Sequence, residues 1–105
     1  MRTPSQRLSI SLEKENLWLH ILTKLENGQS YAYGIKKDLE KDNIKIGLIT
    51  VYSVLYKLEL GGFIKTDGMS EGSGGPKRKY YKITPQGKAE LKRGKNIIKD
   101  ILRSI

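Results

Sequence analysis

Apolar residues recur at helical spacing in four stretches of the chain. In the first, from about Leu12 to Glu26, Leu17, Trp18, Ile21, Leu22 and Leu25 share one side at 100° per residue. Asn27-Gly28 predicts its end, since glycine tolerates the left-handed position just past a helix terminus. Leu12 and Leu19 fall on a second, narrower apolar line. The second stretch runs from about Tyr31 to Lys41 and opens on Ser30, a residue type suited to an N-cap. Tyr31, Ala32, Ile35 and Leu39 form its inner side, while Lys36, Lys37, Glu40 and Lys41 face out. Gly34 in its interior costs about 1 kcal/mol relative to alanine, which predicts a close approach by another helix. The third stretch, Leu48 to Glu59, has Val51, Val54, Leu55 and Leu58 on its core side and stops at Leu60-Gly61-Gly62. The fourth begins with Thr84 as N-cap and Pro85 at the first helical position and runs to near Ile105, about 30 Å if continuous. Ala89 and Leu91 open its apolar side, and Leu91, Gly94, Ile98, Ile101 and Ile105 keep heptad spacing with Ile97 and Leu102 beside them. Residues 1–11 read as a loose arm.

Two short strands lie between the third and fourth helices. Phe63 to Asp67 is the first, and Tyr80 to Ile83 the second, with Tyr81 and Ile83 on one side and Tyr80 and Lys82 on the other. The segment between them holds four glycines from Gly68 to Gly75, then Pro76, a hairpin tip rather than core. It lacks the spacing of a phosphate-cradling loop. The predicted class is mostly α with a small β-hairpin (α+β). Helix, short turn and helix followed by a hairpin is a winged helix-turn-helix, here residues 1–84, with residues 85–105 as a dimerisation helix on one structural domain.

Composition narrows the partner. The 105 residues suffice for one small domain, and no apolar run approaches the roughly 20 residues that cross a bilayer. Met1 to Ser5 lacks the apolar segment of a signal peptide, so a cytoplasmic location is expected. There is no cysteine and a single histidine, His20, placed on the polar side of the first helix. No nucleophile-base pair, metal set or cofactor loop is legible, and an enzyme, a metal and a cofactor are not expected. A formal charge of +9 and a pI near 9.8 favour a polyanion, through charge neutralisation and counterion release.

The third helix supplies the candidate chemistry. Opposite its core stripe stand Tyr52, Ser53 and Tyr56, flanked by Thr50 and Lys57. Hydroxyls, phenols and a lysine are suited to base edges and phosphates in a major groove. The alternative is a pair of tyrosines packed under a loop. Lys77, Arg78, Lys79 and Lys82 gather at the hairpin base with no acidic neighbour in the sequence, as in a wing that follows the DNA backbone. Lys36 and Lys37 are further candidates for phosphate. For a homodimer, Leu12, Leu19, Leu91, Gly94, Ile98, Ile101, Leu102 and Ile105 are the candidate contacts.

As a set, these residues resemble the PadR family of winged-helix transcription regulators. The resemblance rests on Tyr31-Ala32-Tyr33-Gly34-Ile35, on Thr50 to Glu59, on Gly62-Phe63-Ile64, and on Gly74 to Gly87, and covers about residues 15–92. It implies a homodimeric bacterial or archaeal repressor-type protein on a pseudo-palindromic double-stranded operator, with Tyr52 touching DNA and the wing gripping phosphates. The single helix after the wing is like that of the short members, which places more of the dimer contact on residues 88–105. Some relatives bind aromatic effectors between subunits; Trp18 reads more simply as core, and no small-molecule effector is predicted. The rival classes are a winged-helix module that binds an acidic protein, and an RNA-binding wing.

Overall fold

The computed structural model describes residues 1–70 and 78–105. Its first element is α1, Pro4–Ile10, so most of the expected loose arm is helical. The reason is local: Thr3 Oγ1 accepts from the Gln6 amide at 3.2 Å, and the Thr3 amide donates to Gln6 Oε1 at 2.8 Å. This reciprocal capping box satisfies two orphan donors, and Pro4 needs no amide partner. One π-helical turn, Ser11–Glu15, leads into α2, Leu17–Glu26. The helix expected from Leu12 is therefore broken at Asn16, whose side chain donates to the Ser11 carbonyl at 2.8 Å. His20 Nε2 lies 2.8 Å from the Leu12 carbonyl and fastens the π turn to α2.

Ser30 does not cap the second helix. Ser30–Tyr31 form a short strand, β1, and α3 spans Ala32–Lys41 with extended Tyr31 at the cap position and no side-chain cap bond. Pairing with the sheet, Ser30 opposite Tyr81, overrides the local preference. It also accounts for Gly34. A β-carbon there would lie 3.0 Å from Ser30 Oγ and 3.1 Å from the Tyr31 ring, so the close approach is by β1 rather than by another helix. After α3 the chain turns through Asn43 in the left-handed conformation (φ 64°), and Ile44 drops into the core.

Helix α4 spans Leu48–Leu60, β2 Ile64–Ser70, β3 Arg78–Ile83 and α5 Pro85–Ser104. The sheet order is β1-β3-β2, all antiparallel, with Ile64 opposite Ile83 and Thr66 opposite Tyr81. Thr84 caps α5 as expected, its Oγ1 accepting from the Gly87 amide at 3.0 Å while donating to the Gly62 carbonyl at 2.6 Å. That second bond ties the start of α5 to the end of α4.

The core gathers around α2. Leu17, Ile21, Leu22 and Leu25 pack with Ile35 and Leu39 of α3, Val51, Leu55 and Leu58 of α4, and Ile64 and Tyr81 of the sheet. Each such aliphatic side chain stabilises the fold by about 1.5–3 kcal/mol on burial. Helix α5 closes the core with Gly87, Leu91 and Gly94; Ala89 is exposed rather than inward. Leu91, only 1% exposed, is a core residue of its own domain, which corrects its assignment to a subunit contact. Gly94 is likewise filled from within: a β-carbon there would meet Leu19 Cδ2 at 2.6 Å and Trp18 Cη2 at 2.8 Å.

Candidate nucleic-acid interface

Three core positions of α4, Val51, Leu55 and Leu58, hold that helix against the domain and so aim its opposite side at solvent. Tyr52 is 51% and Tyr56 63% exposed, and Thr50, Ser53 and Lys57 are exposed beside them. The tyrosines are thus not packed under a loop. Ile49 and Leu60 stand on the same surface and were not among the sequence candidates. Helical spacing places both of them there, but an apolar residue type does not draw attention as a polar contact would.

Helix α3, which precedes the turn, shows Tyr33 half-exposed with Lys37 Nζ 5.5 Å above its ring. Tyr33 is among the residues that carry the family resemblance but is not one of the contact candidates read from the sequence, although it lies off the inward stripe of Ala32, Ile35 and Leu39. Lys37 is exposed, whereas Lys36 is bound to Glu40 one turn on. The hydrogen bond from Lys36 holds the Glu40 carboxyl below the usual glutamate range, reinforced by the nearby charges of Lys36, Lys37 and Lys45. Lys36 therefore meets a phosphate only by leaving an existing partner.

Folding of the hairpin changes the picture at the wing. Lys77 lies outside the described residues. The Arg78 guanidinium stacks over the Tyr31 ring at 4.6 Å, and Tyr31 meets Tyr80 edge-to-face at 5.4 Å, so β1 and the wing base share an aromatic bracket. The expected absence of acidic neighbours is overturned. Lys79 Nζ lies 3.6 Å from Glu59 Oε1, and Lys82 Nζ lies 3.5 Å from Asp67 Oδ1. Antiparallel pairing of β2 with β3 brings Asp67 to Lys82, and the packing of the hairpin on α4 brings Glu59 to Lys79. Lys79 still borders α4, because Glu59 joins the last turn of that helix to Thr66 and Lys79 of the two wing strands.

A second surface runs along the outer half of α5. Ile98 is 40%, Ile101 57%, Leu102 69% and Ile105 92% exposed, with Ile97 beside them. Leu12 of the π turn is 39% exposed, and Leu19 is partly buried against α5. Leu12, Leu19, Leu91 and Ile98 line a shallow groove between α2 and α5, edged by His20 and Lys95. Among the described residues no group of three or more His, Asp or Glu side chains is placed to hold a metal ion, and no helix is long and apolar enough to cross a membrane.

Residues 21–93 match the transcriptional regulator PadR-like family. In structure, the chain is similar to the PadR family transcriptional regulator of Eggerthella lenta DSM 2243, with a TM-score of 0.82 and 24% identity over 95% of this chain and 87% of that one. It is similar to a PadR family transcription regulator of Clostridium difficile R20291, with a TM-score of 0.70 and 30% identity over 83% of this chain and 94% of the other. It is also similar to Bacillus subtilis PadR crystallised in complex with operator DNA, with a TM-score of 0.67 and 26% identity, over 73% of this chain and 46% of that longer one. Comparison with curated proteins finds no match.

Proposed function

Because this chain belongs to the PadR-like family of transcriptional regulators, we propose that it is a homodimeric, operator-binding repressor of the cytoplasm. The carrying observation is the solvent side of α4. It presents Thr50, Tyr52, Ser53, Tyr56 and Lys57, and its one carboxylate, Glu59, is turned to the wing. Such a face offers hydrogen-bond donors and acceptors to base edges without repelling phosphates. Operator DNA bound by the Bacillus subtilis relative supports the same partner here.

In this reading α4 enters the major groove. Lys37 and Arg78, with Lys77 beyond the described residues, neutralise phosphates on either side, and Lys36 and Lys79 join them by exchanging Glu40 and Glu59 for phosphates. Residues 1–84 form the DNA-binding unit, and the exposed half of α5 pairs with its copy through Ile98, Ile101, Leu102 and Ile105, joined by Leu12 and Leu19. A two-fold dimer then sets two α4 helices on half-sites about one DNA turn apart, roughly 34–36 Å. No effector is part of the proposal.

The test is binding of the purified protein to duplexes enriched from a random pool, followed by fluorescence anisotropy and challenged with structured RNA. Enrichment of a two-fold symmetric sequence, retained at moderate salt, is expected. A protein that releases duplex DNA at moderate salt, or prefers the RNA competitor, is not an operator-binding repressor.

A further inference from the structure

Two apolar side chains stand among the hydroxyls and phenols on the solvent side of α4, Leu60 at its end and Ile49 at its start. Ile49 is 86% exposed in the first turn. Gly47, the N-cap, has no side chain, and Leu48 packs against the core. Ile49 is therefore the first outward side chain of the helix. At about 100° per residue, Ile49, Ser53, Tyr56 and Leu60 run in one line down the middle of the solvent side, with Tyr52 on one flank and Thr50 and Lys57 on the other. When a helix-turn-helix docks, the N-terminal residues of its second helix meet the base edges.

A lone exposed isoleucine needs no explanation. An isoleucine at the leading end of the central line is a different matter, because it can neither donate nor accept a hydrogen bond. Most of what a major groove displays is donors and acceptors, and placing Ile49 over them would desolvate them without return. The apolar group on that floor is the C5-methyl of thymine. A β-branched side chain in a helix is also held largely in one rotamer, so little freedom is lost on contact. We propose that Ile49 is a specificity residue that reads thymine by packing on its C5-methyl group. The inference rests on the operator-binding reading and adds one named base to it.

The test uses the full chain and the best duplex enriched from a random pool. Each thymine is replaced singly by deoxyuridine, which removes the methyl and keeps every hydrogen-bonding group. Binding of the wild type should weaken about fourfold at one position in each half-site, the effect of one methyl group left in water. Ile49→Ala removes the contact in both half-sites, so it should bind the thymine duplex about as weakly as the wild type binds a duplex with uridine at both symmetric positions, roughly sixteenfold below the wild type on thymine, and should show no further loss on that uridine duplex. Alanine is favourable in an exposed helix, so the variant retains the fold, and circular dichroism checks this. A tightly bound duplex with no sensitive thymine overturns the proposal while leaving operator binding in place. So does a uridine penalty that persists undiminished in Ile49→Ala. If no duplex is enriched at all, operator binding itself fails, and the thymine reading with it.

Discussion

Thr66 Oγ1 donates to Glu59 Oε2 at 2.7 Å, which fastens the first strand of the wing to the last turn of the groove-facing helix. The other oxygen of Glu59 faces Lys79 at 3.6 Å. A single carboxylate thus sets the angle between helix and wing and also competes with phosphate for a wing lysine. Removing its charge should free Lys79. Glu59→Gln is expected to bind duplex DNA several-fold more tightly, with a salt slope steeper by up to about 0.9, the increment of one extra phosphate contact. In a Lys79→Ala background the same substitution should change neither quantity. Affinities measured across a salt series for the two single variants and the double variant decide it; equal slopes in Glu59→Gln and wild type would refute the competition. The stability change should stay within about 1 kcal/mol, as for other exposed pairs.

Tyr52 is half exposed and stands beside Ile49, Ser53 and Tyr56 on the solvent side of α4. Tyr52→Ala should therefore leave thermal stability almost unchanged, within about 0.5 kcal/mol. Affinity for the enriched duplex should fall by about tenfold or more, as when a good base contact is lost. Calorimetric melting together with anisotropy separates the two effects. A large loss of stability with proportionate loss of binding would place the ring in the core instead.

Gly87 sits in the first turn of α5, where a β-carbon would lie 2.0 Å from the Phe63 carbonyl oxygen and 2.7 Å from Ile83 Cγ1. The first neighbour is backbone and is held by its bond from the Thr84 amide at 3.1 Å. It cannot swing aside as a side chain would. Gly87→Ala should cost about 3 kcal/mol, the upper range for overpacking, despite the better helix propensity of alanine. Urea unfolding reads this directly, and an unchanged midpoint would show that α5 shifts freely on the sheet.

The outer half of α5 leaves Ile101 57% and Leu102 69% exposed in one copy. If these side chains pair across a two-fold axis, a charge at Ile101 must be buried without a partner. Ile101→Asp should then raise the dimer dissociation constant by about two orders of magnitude or more, while the monomer keeps its helix content. Sedimentation velocity over a concentration series measures it. An unchanged sedimentation coefficient would move the subunit contact elsewhere.

Much of the architecture was legible because it is set by neighbours three or four residues apart. Val51, Leu55 and Leu58 specify which side of α4 is buried, and so expose Tyr52 and Tyr56. Thr84-Pro85 starts α5, and Leu60-Gly61-Gly62 stops α4. The capping box at Thr3 and Gln6 is equally local, and it makes the arm helical where its mixed polar composition suggests a loose segment. Spacing and residue type suffice for such features, because the interactions close within one helical turn.

Other features needed the chain to fold back on itself. Ser30 has the chemistry of a cap, yet pairing with Tyr81 puts it in a strand. Lys79 and Lys82 have no acidic neighbours in sequence, yet they find Glu59 and Asp67 once β3 lies beside β2 and α4. Leu91 and Gly94 keep the heptad of an intersubunit seam, yet α2 covers both, with Trp18 and Leu19 filling the space at Gly94. A periodic pattern specifies that a side is covered but not by what, since another subunit and another helix of the same domain present equally apolar surfaces. Thus the sequence determined the helices, the wing and the exposed face of α4, through contacts closed locally along the chain. Tertiary structure alone decided which charges are paired and which apolar positions are already filled, because those depend on residues brought together from far apart.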